Sequence, residues 1–188
     1  LDVWPKAILP FLDLKLNNGD ERMRDNDIFT GVCLLDIFME KVQAREEWTL
    51  FDPHEVRTVM GYSLEDSYDE KRGKGSFRDK YQACVDDNRL SREVVPAIDI
   101  MKRIMRSQLE TGVPFMFYRD EVNRMNTNKH EGMIYSSNLC TEIFQNMSAT
   151  EFESITIEDD VIVTRRKPGD FVVCNLSSIN LGKAVPAG

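Results

Sequence analysis

Apolar residues at helical spacing predict several helices. The clearest is expected over residues 94–110, where the Gly and Pro of Thr111-Gly112-Val113-Pro114 mark its end. A first helix follows Pro5 and stops before a turn at Asn17-Asn18-Gly19-Asp20. The remaining predicted helices are one capped by Asp36 that runs to about Glu46, one starting at Asp52-Pro53-His54-Glu55, and one over residues 77–85.

Short apolar runs predict strands between these helices. The predicted strands cover residues 28–34, 48–51, 115–118 and 171–176, with a further extended stretch over 133–144. Glu158-Asp159-Asp160 separates two short β-branched runs and indicates a hairpin. Residues 123–129 are expected to form a polar loop, and the charge block 64–80 a surface excursion. The alternation of strands and helices predicts an α/β architecture.

Composition narrows the class of protein. The 188 residues suffice for one sizeable domain or two small ones, and 41% are hydrophobic, so a real core is expected. With 24 basic and 32 acidic residues the net charge is −8, which argues against a nucleic-acid binder or a basic membrane-surface protein. The sequence contains no apolar run long enough to span a bilayer and no secretion signal, so a cytoplasmic location is expected.

The four cysteines are expected to be free thiols. Cys33, Cys84, Cys140 and Cys174 form no CxxC pattern, which argues against structural zinc. Each cysteine taken alone is expected to be a small buried hydrophobic residue, but the sequence around two of them argues against this. His54 lies between acidic residues, but a turn and a helix cap explain that grouping, so no metal site is predicted.

The stretch of residues 136–143 carries the most unusual chemistry. On an extended backbone Asn138, Cys140 and Glu142 would share one face. An amide can orient a hydroxyl, a carboxylate can accept its proton, and a thiol can act as nucleophile or radical. A neighbouring acid disfavours a thiolate, which points to a neutral S–H that exchanges a hydrogen atom. A polar edge strand is the alternative interpretation.

The sequence resembles the large, catalytic subunit of class I ribonucleotide reductase. The matching segments extend in order over nearly the whole chain: Leu12-Asp13-Leu14-Lys15 with Gly19-Asp20-Glu21, Asp36-Ile37-Phe38-Met39, Trp48-Thr49-Leu50-Phe51, residues 110–116, Tyr118-Arg119-Asp120, residues 137–143 and residues 173–181. The Asn-Leu-Cys-Thr-Glu segment followed by Cys-Asn-Leu-Ser-Ser is the most specific part.

The resemblance implies a role for each matching residue. Cys140 corresponds to the thiyl-radical cysteine that abstracts the 3′ hydrogen, and Glu142 to the carboxylate that takes the 3′-hydroxyl proton. Asn138 corresponds to the amide that binds the sugar hydroxyls, with Ser137 and Leu139 also in the substrate site. Cys174 corresponds to one of two redox cysteines that reduce the 2′ carbon, and its partner cysteine is expected upstream of Leu1.

The implied fold is part of a ten-stranded α/β barrel. Residues 133–146 would form the finger loop at its centre, and residues 151–167 an inserted hairpin. The chain is expected to be an internal segment of a longer or split catalytic subunit, inactive alone and dependent on the remaining large-subunit segments.

The implied reaction converts ribonucleoside diphosphates to deoxyribonucleoside diphosphates as DNA precursors. A metal-containing small subunit would supply the radical, thioredoxin or glutaredoxin would be the external reductant, and large subunits would form a homodimer. The segment itself is expected to bind no cofactor. The alternatives are a non-catalytic assembly fragment, a cobalamin-dependent relative, and a thiol-redox domain without radical chemistry.

Overall fold

A computed structural model describes residues 1–16, 21–25 and 27–185, which form two compact units, Leu1–Asn146 and Met147–Gly188. The predicted turn at residues 17–20 lies outside the described residues. The helices of the first unit are α1 (Ile8–Asp13), α2 (Asp36–Ala44), α3 (Pro53–Met60), α4 (Ser76–Asp86), α5 (Ala97–Thr111) and α6 (Arg119–Met125). Its strands are β1 (Gly31–Leu34), β2 (Glu47–Phe51), β3 (Arg92–Pro96) and β4 (Phe115–Tyr118). The second unit contains β5 (Glu151–Glu158), β6 (Val161–Lys167) and α7 (Leu181–Ala184).

The strands of the first unit form two pairs. β1 runs parallel to β4, with Gly31 opposite Phe115, and β2 runs antiparallel to β3. The start of the chain extends both pairs through parallel bridges from Asp2 to Cys33 and from Pro5 to Phe51. The α/β prediction is therefore confirmed. The described residues contribute strand pairs and not a closed barrel.

Stacked aromatic rings fill the core of the first unit. The rings of Trp48 and Tyr81 stack with centroids 4.3 Å apart, and Phe38 meets Trp48 edge-on at 5.2 Å. The Tyr81 hydroxyl donates to the Thr49 carbonyl at 2.9 Å and accepts from the Thr49 amide at 2.8 Å. Because Thr49 lies in β2, this buried tyrosine ties α4 directly to the sheet.

The start of the predicted helix over 94–110 is wrong. Residues 92–96 form β3, in which Val94 and Val95 lie opposite Thr49 and Trp48, and α5 begins only at Ala97. Pro96 disfavours helical geometry at the residue before it, and β-branched residues suit a strand. The predicted end is confirmed, since Gly112 caps α5 with φ of 78°.

Three further predictions differ from the structure. Asp36 is the first residue of α2, and the cap position belongs to Leu35 without a side-chain bond. The expected loop over 123–129 begins as helix α6, which ends at Met125. Residues 171–176 are not a strand, because this segment has no pairing partner among the described residues.

The hairpin prediction is confirmed. β5 and β6 pair antiparallel with Ile157 opposite Ile162. Asp159 and Asp160 have positive φ values of 49° and 60°, which is the geometry of the two-residue turn favoured in hairpins. Among the described residues, no helix has the length and apolar character needed to cross a bilayer.

A buried carboxylate joins three segments of the first unit. Asp120, at the start of α6, accepts hydrogen bonds from the amides of Asp36 and Asp69, both at 2.6 Å. Asp69 is itself fully buried and accepts from the Nε of Arg78 at 3.2 Å, so the prediction that residues 64–80 lie on the surface is wrong at this point. Burial raises the pKa of Asp120 to about 6.

Replacing Tyr81 by Phe tests the link between α4 and the sheet. The change leaves the amide and carbonyl of Thr49 buried without this partner. We expect the free energy of unfolding to fall by about 1–3 kcal/mol. Urea unfolding followed by tryptophan fluorescence measures it, with Tyr118→Phe, at an exposed position, as the control. An equal effect of both variants would contradict the assignment.

The buried Asp120 predicts a specific pH dependence. Its folded-state pKa of about 6 lies above the ordinary value of 3.8, so its contribution to stability is complete below pH 3.8 and is lost as the pH rises through 6. Asp120→Asn removes this titration. As the pH rises through this window, wild type should therefore lose about 2–3 kcal/mol of unfolding free energy relative to Asp120→Asn.

Urea unfolding at a series of pH values measures this difference. Asp79→Asn, at an exposed position on α4, is the matched control. A constant difference between Asp120→Asn and wild type would show that Asp120 does not titrate in this window.

Candidate functional site

Residues 132–146, called here the cysteine loop, connect the end of the α6 region to the second unit. The loop follows a short 3-10 turn, Lys129–Glu131, and begins at Gly132, whose φ of 120° favours glycine. Apart from a tight turn at its tip, it has no regular secondary structure. Its conformation therefore depends on side-chain contacts.

Asn138 holds the tip of the loop in a closed turn. Its Oδ1 accepts from the amides of Glu142 and Ile143, both at 3.1 Å, while its own amide donates to the Ile143 carbonyl at 3.2 Å. The Thr141 amide donates to the Asn138 carbonyl at 3.3 Å. Cys140 therefore lies inside a turn that is closed by both the side chain and the backbone of Asn138.

The predicted extended conformation over 133–144 is wrong at the tip. Thr141 has a left-handed φ of 66°, which reverses the chain after Cys140. The alternation that would place Asn138, Cys140 and Glu142 on one strand face does not apply to a turn. The structure instead links them through the Asn138 side chain, which bonds the Glu142 backbone across Cys140. Asparagine commonly closes such turns, a signal that strand periodicity does not include.

The reactive groups of the turn are exposed. Cys140 and Glu142 are both accessible, and Leu139 is 63% exposed beside them. The Ser137 hydroxyl donates to the Asn138 carbonyl at 3.0 Å and lies 3.3 Å from the Thr141 hydroxyl. Among the described residues no hydrogen bond occupies the Asn138 Nδ2, so this group and the Glu142 carboxylate are available to a ligand.

Two side chains anchor the flanks of the cysteine loop. The Phe144 ring packs against Phe117 of β4 at 5.7 Å. The Tyr135 hydroxyl donates to the Asp66 carboxylate at 3.1 Å, and burial together with this carboxylate raises the pKa of Tyr135. The loop is thus attached on one side to the sheet and on the other to the segment before α4.

The four cysteines fall into two classes. Cys33 and Cys84 are buried, as predicted, and burial raises the pKa of both thiols. Cys140 and Cys174 are exposed, and these are the two cysteines for which the surrounding sequence argues against burial. Cys174 lies in the second unit, in a stretch of irregular backbone.

Metal-ligating side chains do not cluster within the part of the chain that the structure describes. Asp52 caps α3 by accepting from the Glu55 amide at 3.0 Å, which confirms the predicted cap beside His54.

Comparison with known proteins identifies clear relatives. The model of the family described as "Ribonucleotide reductase, barrel domain" matches residues 1–187. The ribonucleoside-diphosphate reductase subunit alpha of Treponema pallidum is 48% identical over 187 residues, which cover 96% of this chain and 22% of the relative. The Synechocystis subunit alpha is 37% identical, covering 96% and 21%. The large chain of Encephalitozoon cuniculi is also 37% identical, covering 100% and 20%. The chain thus spans about a fifth of the length of these relatives.

Substituting Asn138 tests its role in closing the turn. Asn138→Ala removes the oxygen that accepts from Glu142 and Ile143. We expect hydrogen exchange at these two amides to accelerate about tenfold, the value for a net hydrogen bond of roughly 1–1.5 kcal/mol. Asn138→Asp keeps an acceptor and should preserve slow exchange. Equal exchange rates in the alanine variant and wild type would contradict the role of Asn138.

Proposed function

The chain belongs to the ribonucleotide reductase barrel-domain family, and from this premise we propose that it supplies the radical-bearing cysteine loop of a ribonucleoside-diphosphate reductase. The observation that carries the proposal is the turn at Cys140, in which the Asn138 side chain accepts from the amides of Glu142 and Ile143 and so holds the two residues on either side of the thiol together. The proposed substrates are ribonucleoside diphosphates and the products are DNA precursors.

In the complete enzyme we propose that the first unit is part of a ten-stranded α/β barrel, with the cysteine loop as its central finger. The parallel pairing of β1 with β4 supports this, because parallel strands joined through helices are the building units of such barrels. The barrel would enclose the turn that is exposed in this chain, and exclusion of water would protect a thiyl radical at Cys140. Residues 151–167 would be an insertion that leaves this arrangement intact.

The proposed reaction begins with a hydrogen atom. The Cys140 thiyl takes the 3′ hydrogen of the substrate, which regenerates an S–H bond and leaves a radical at the 3′ carbon. The Glu142 carboxylate accepts the 3′-hydroxyl proton, and the free Nδ2 of Asn138 donates to a sugar hydroxyl. Because the Asn138 Oδ1 accepts from the Glu142 amide across Cys140, the three groups would approach one sugar together.

Two thiols complete the reduction in this proposal. Cys174 and a second cysteine outside these 188 residues would supply two electrons and two protons. The 2′ C–O bond then breaks, the oxygen leaves as water, the 2′ carbon gains hydrogen, and the thiols become a disulfide. Cys140 returns its hydrogen atom to the 3′ carbon and becomes a thiyl again, and Glu142 returns the proton to the 3′ oxygen. The exposure of Cys174 is consistent with repeated reduction by thioredoxin or glutaredoxin.

The radical would originate in another subunit. The relatives are named as alpha subunits or large chains, which supports a smaller partner subunit as its source, and we propose that this subunit contains the metal. The other partners in this proposal are the remaining large-subunit segments and a second large subunit.

Substitutions at the turn test the proposal in the complete enzyme with its small subunit. Cys140→Ser should abolish measurable reduction of ribonucleoside diphosphates, because an O–H cannot replace the S–H in reversible hydrogen-atom transfer. Glu142→Gln should lower kcat about 10²–10⁴-fold through loss of the proton acceptor.

Matched variants control for general damage. Cys84→Ser, at a buried thiol that lies 3.6 Å from the Tyr62 hydroxyl, and Glu153→Gln, on the exposed surface of β5, should retain activity. Residual turnover in Cys140→Ser would refute radical chemistry at this thiol and would favour a thiol-redox or assembly role.

A further inference from the structure

Polar contacts hold the two ends of the cysteine loop, called here its neck, and those of Asn123 are buried. Its 15 residues lack helix or strand hydrogen bonds, and ordering each residue costs about 1–2 kcal/mol of backbone entropy. A reactive turn at the end of such a loop needs fixed ends. Asparagines from α6 and from the exit of the loop supply them.

Asn123 of α6 binds the entrance of the loop through a pair of hydrogen bonds like those that one β-strand makes with its neighbour. Its Oδ1 accepts from the Ile134 amide at 2.7 Å, and its Nδ2 donates to the Ile134 carbonyl at 3.0 Å. The same Nδ2 donates to the Arg119 carbonyl at 3.0 Å, one turn earlier in α6. Asn123 and Ile134 are only 2% and 3% exposed, so these bonds are shielded from water.

Two further asparagines close the neck across the loop. The Asn146 Nδ2, at the exit, donates to the Gly132 carbonyl at the entrance with a distance of 2.8 Å. The Asn126 Nδ2 donates to the Asn146 Oδ1 at 3.1 Å and lies 3.4 Å from the Gly132 carbonyl. Entrance and exit are thus joined to each other and to the end of α6.

We infer that Asn123, Asn126 and Asn146 are positioning residues that set the placement of the Cys140 turn. This inference rests on the proposed function, since it assumes that reaction occurs at Cys140. Asn123 lies on α6, Asn126 caps its end, and Asn126 binds Asn146; because α6 follows β4 directly, these neck contacts transmit the position of the sheet to the loop.

Asparagine suits these neck contacts for a chemical reason. An amide side chain offers both a donor and an acceptor, as the Ile134 backbone requires, and it carries no charge. An aspartate at position 123 would face the carbonyl oxygens of Arg119 and Ile134 with a carboxylate and would lose both donations.

The test uses Asn123→Asp and the milder Asn126→Ala in the complete enzyme. Asn128→Ala is the matched control. This exposed asparagine lies between the end of α6 and the start of the cysteine loop, and its side chain makes none of the neck contacts. Three quantities are measured: peptide-resolved hydrogen exchange, the alkylation rate of Cys140, and kcat and KM for a ribonucleoside diphosphate.

We expect a selective effect on the loop. Exchange in residues 133–145 and alkylation of Cys140 should accelerate about tenfold or more, with β1 and β4 unchanged. The value of kcat should fall about 10- to 100-fold while KM changes less than about threefold, because a misplacement of a reacting group by about 1 Å can lower the reaction rate about 100-fold. Asn128→Ala should match wild type.

Other results would overturn the inference. Unchanged kcat despite faster loop exchange would show that the neck does not position the reaction. Slower turnover without faster loop exchange, or faster exchange throughout β1 and β4 in both variants, would assign the residues another role. The Cys140→Ser variant distinguishes failure of this inference from failure of the proposed function. Residual turnover in Cys140→Ser would refute the proposed function, whatever result the neck variants give.

Discussion

The buried Asp120 carboxylate determines how the first unit is assembled. It accepts the amides of Asp36 and Asp69, which lie 84 and 51 positions away in sequence, and so joins the start of α2, the segment before α4 and the start of α6. A buried acceptor without partners would cost several kcal/mol, so these three segments must come together for the carboxylate to be satisfied. The position of α6, and hence of every residue on it, follows.

The neighbouring Arg119 extends this constraint to the start of the chain. Its guanidinium pairs with the Asp2 carboxylate at 2.7 Å, and the two side chains are 3% and 7% exposed. Asp2 in turn bridges to Cys33 in β1. The consecutive residues Arg119 and Asp120 therefore fix the end of β4 relative to β1 and α2, and the turn of helix that follows presents Asn123 to the cysteine loop.

The structure separates two buried cysteines from two exposed ones. Cys33 in β1 and Cys84 in α4 serve as buried apolar residues, and burial keeps their thiols protonated by raising the pKa. Cys140 lies at the far end of a loop that polar side chains hold at its neck and tip. A rigid scaffold that carries an irregular loop allows a reactive group to be placed accurately without making it part of the core.

The sequence by itself determined the features that depend on neighbouring residues. The turn at Asp159-Asp160, the cap at Asp52 and the end of α5 at Gly112 were predictable, because each depends on the backbone preference or hydrogen bonds of residues within a few positions. The candidate site residues Asn138, Cys140 and Glu142 were also found from sequence, by chemistry and by resemblance.

The tertiary structure decided what depends on distant partners. Residues 92–96, where Pro96 and the two valines already disfavour a helix, became β3 because β2 offers a pairing edge, and Asp69 became buried because the Arg78 and Asp120 side chains reach it. The neck of the cysteine loop likewise depends on contacts between α6 and backbone groups that periodicity does not reveal. Local propensities amount to at most about 1 kcal/mol per residue, so a buried hydrogen bond or a strand partner from elsewhere in the chain overrides them.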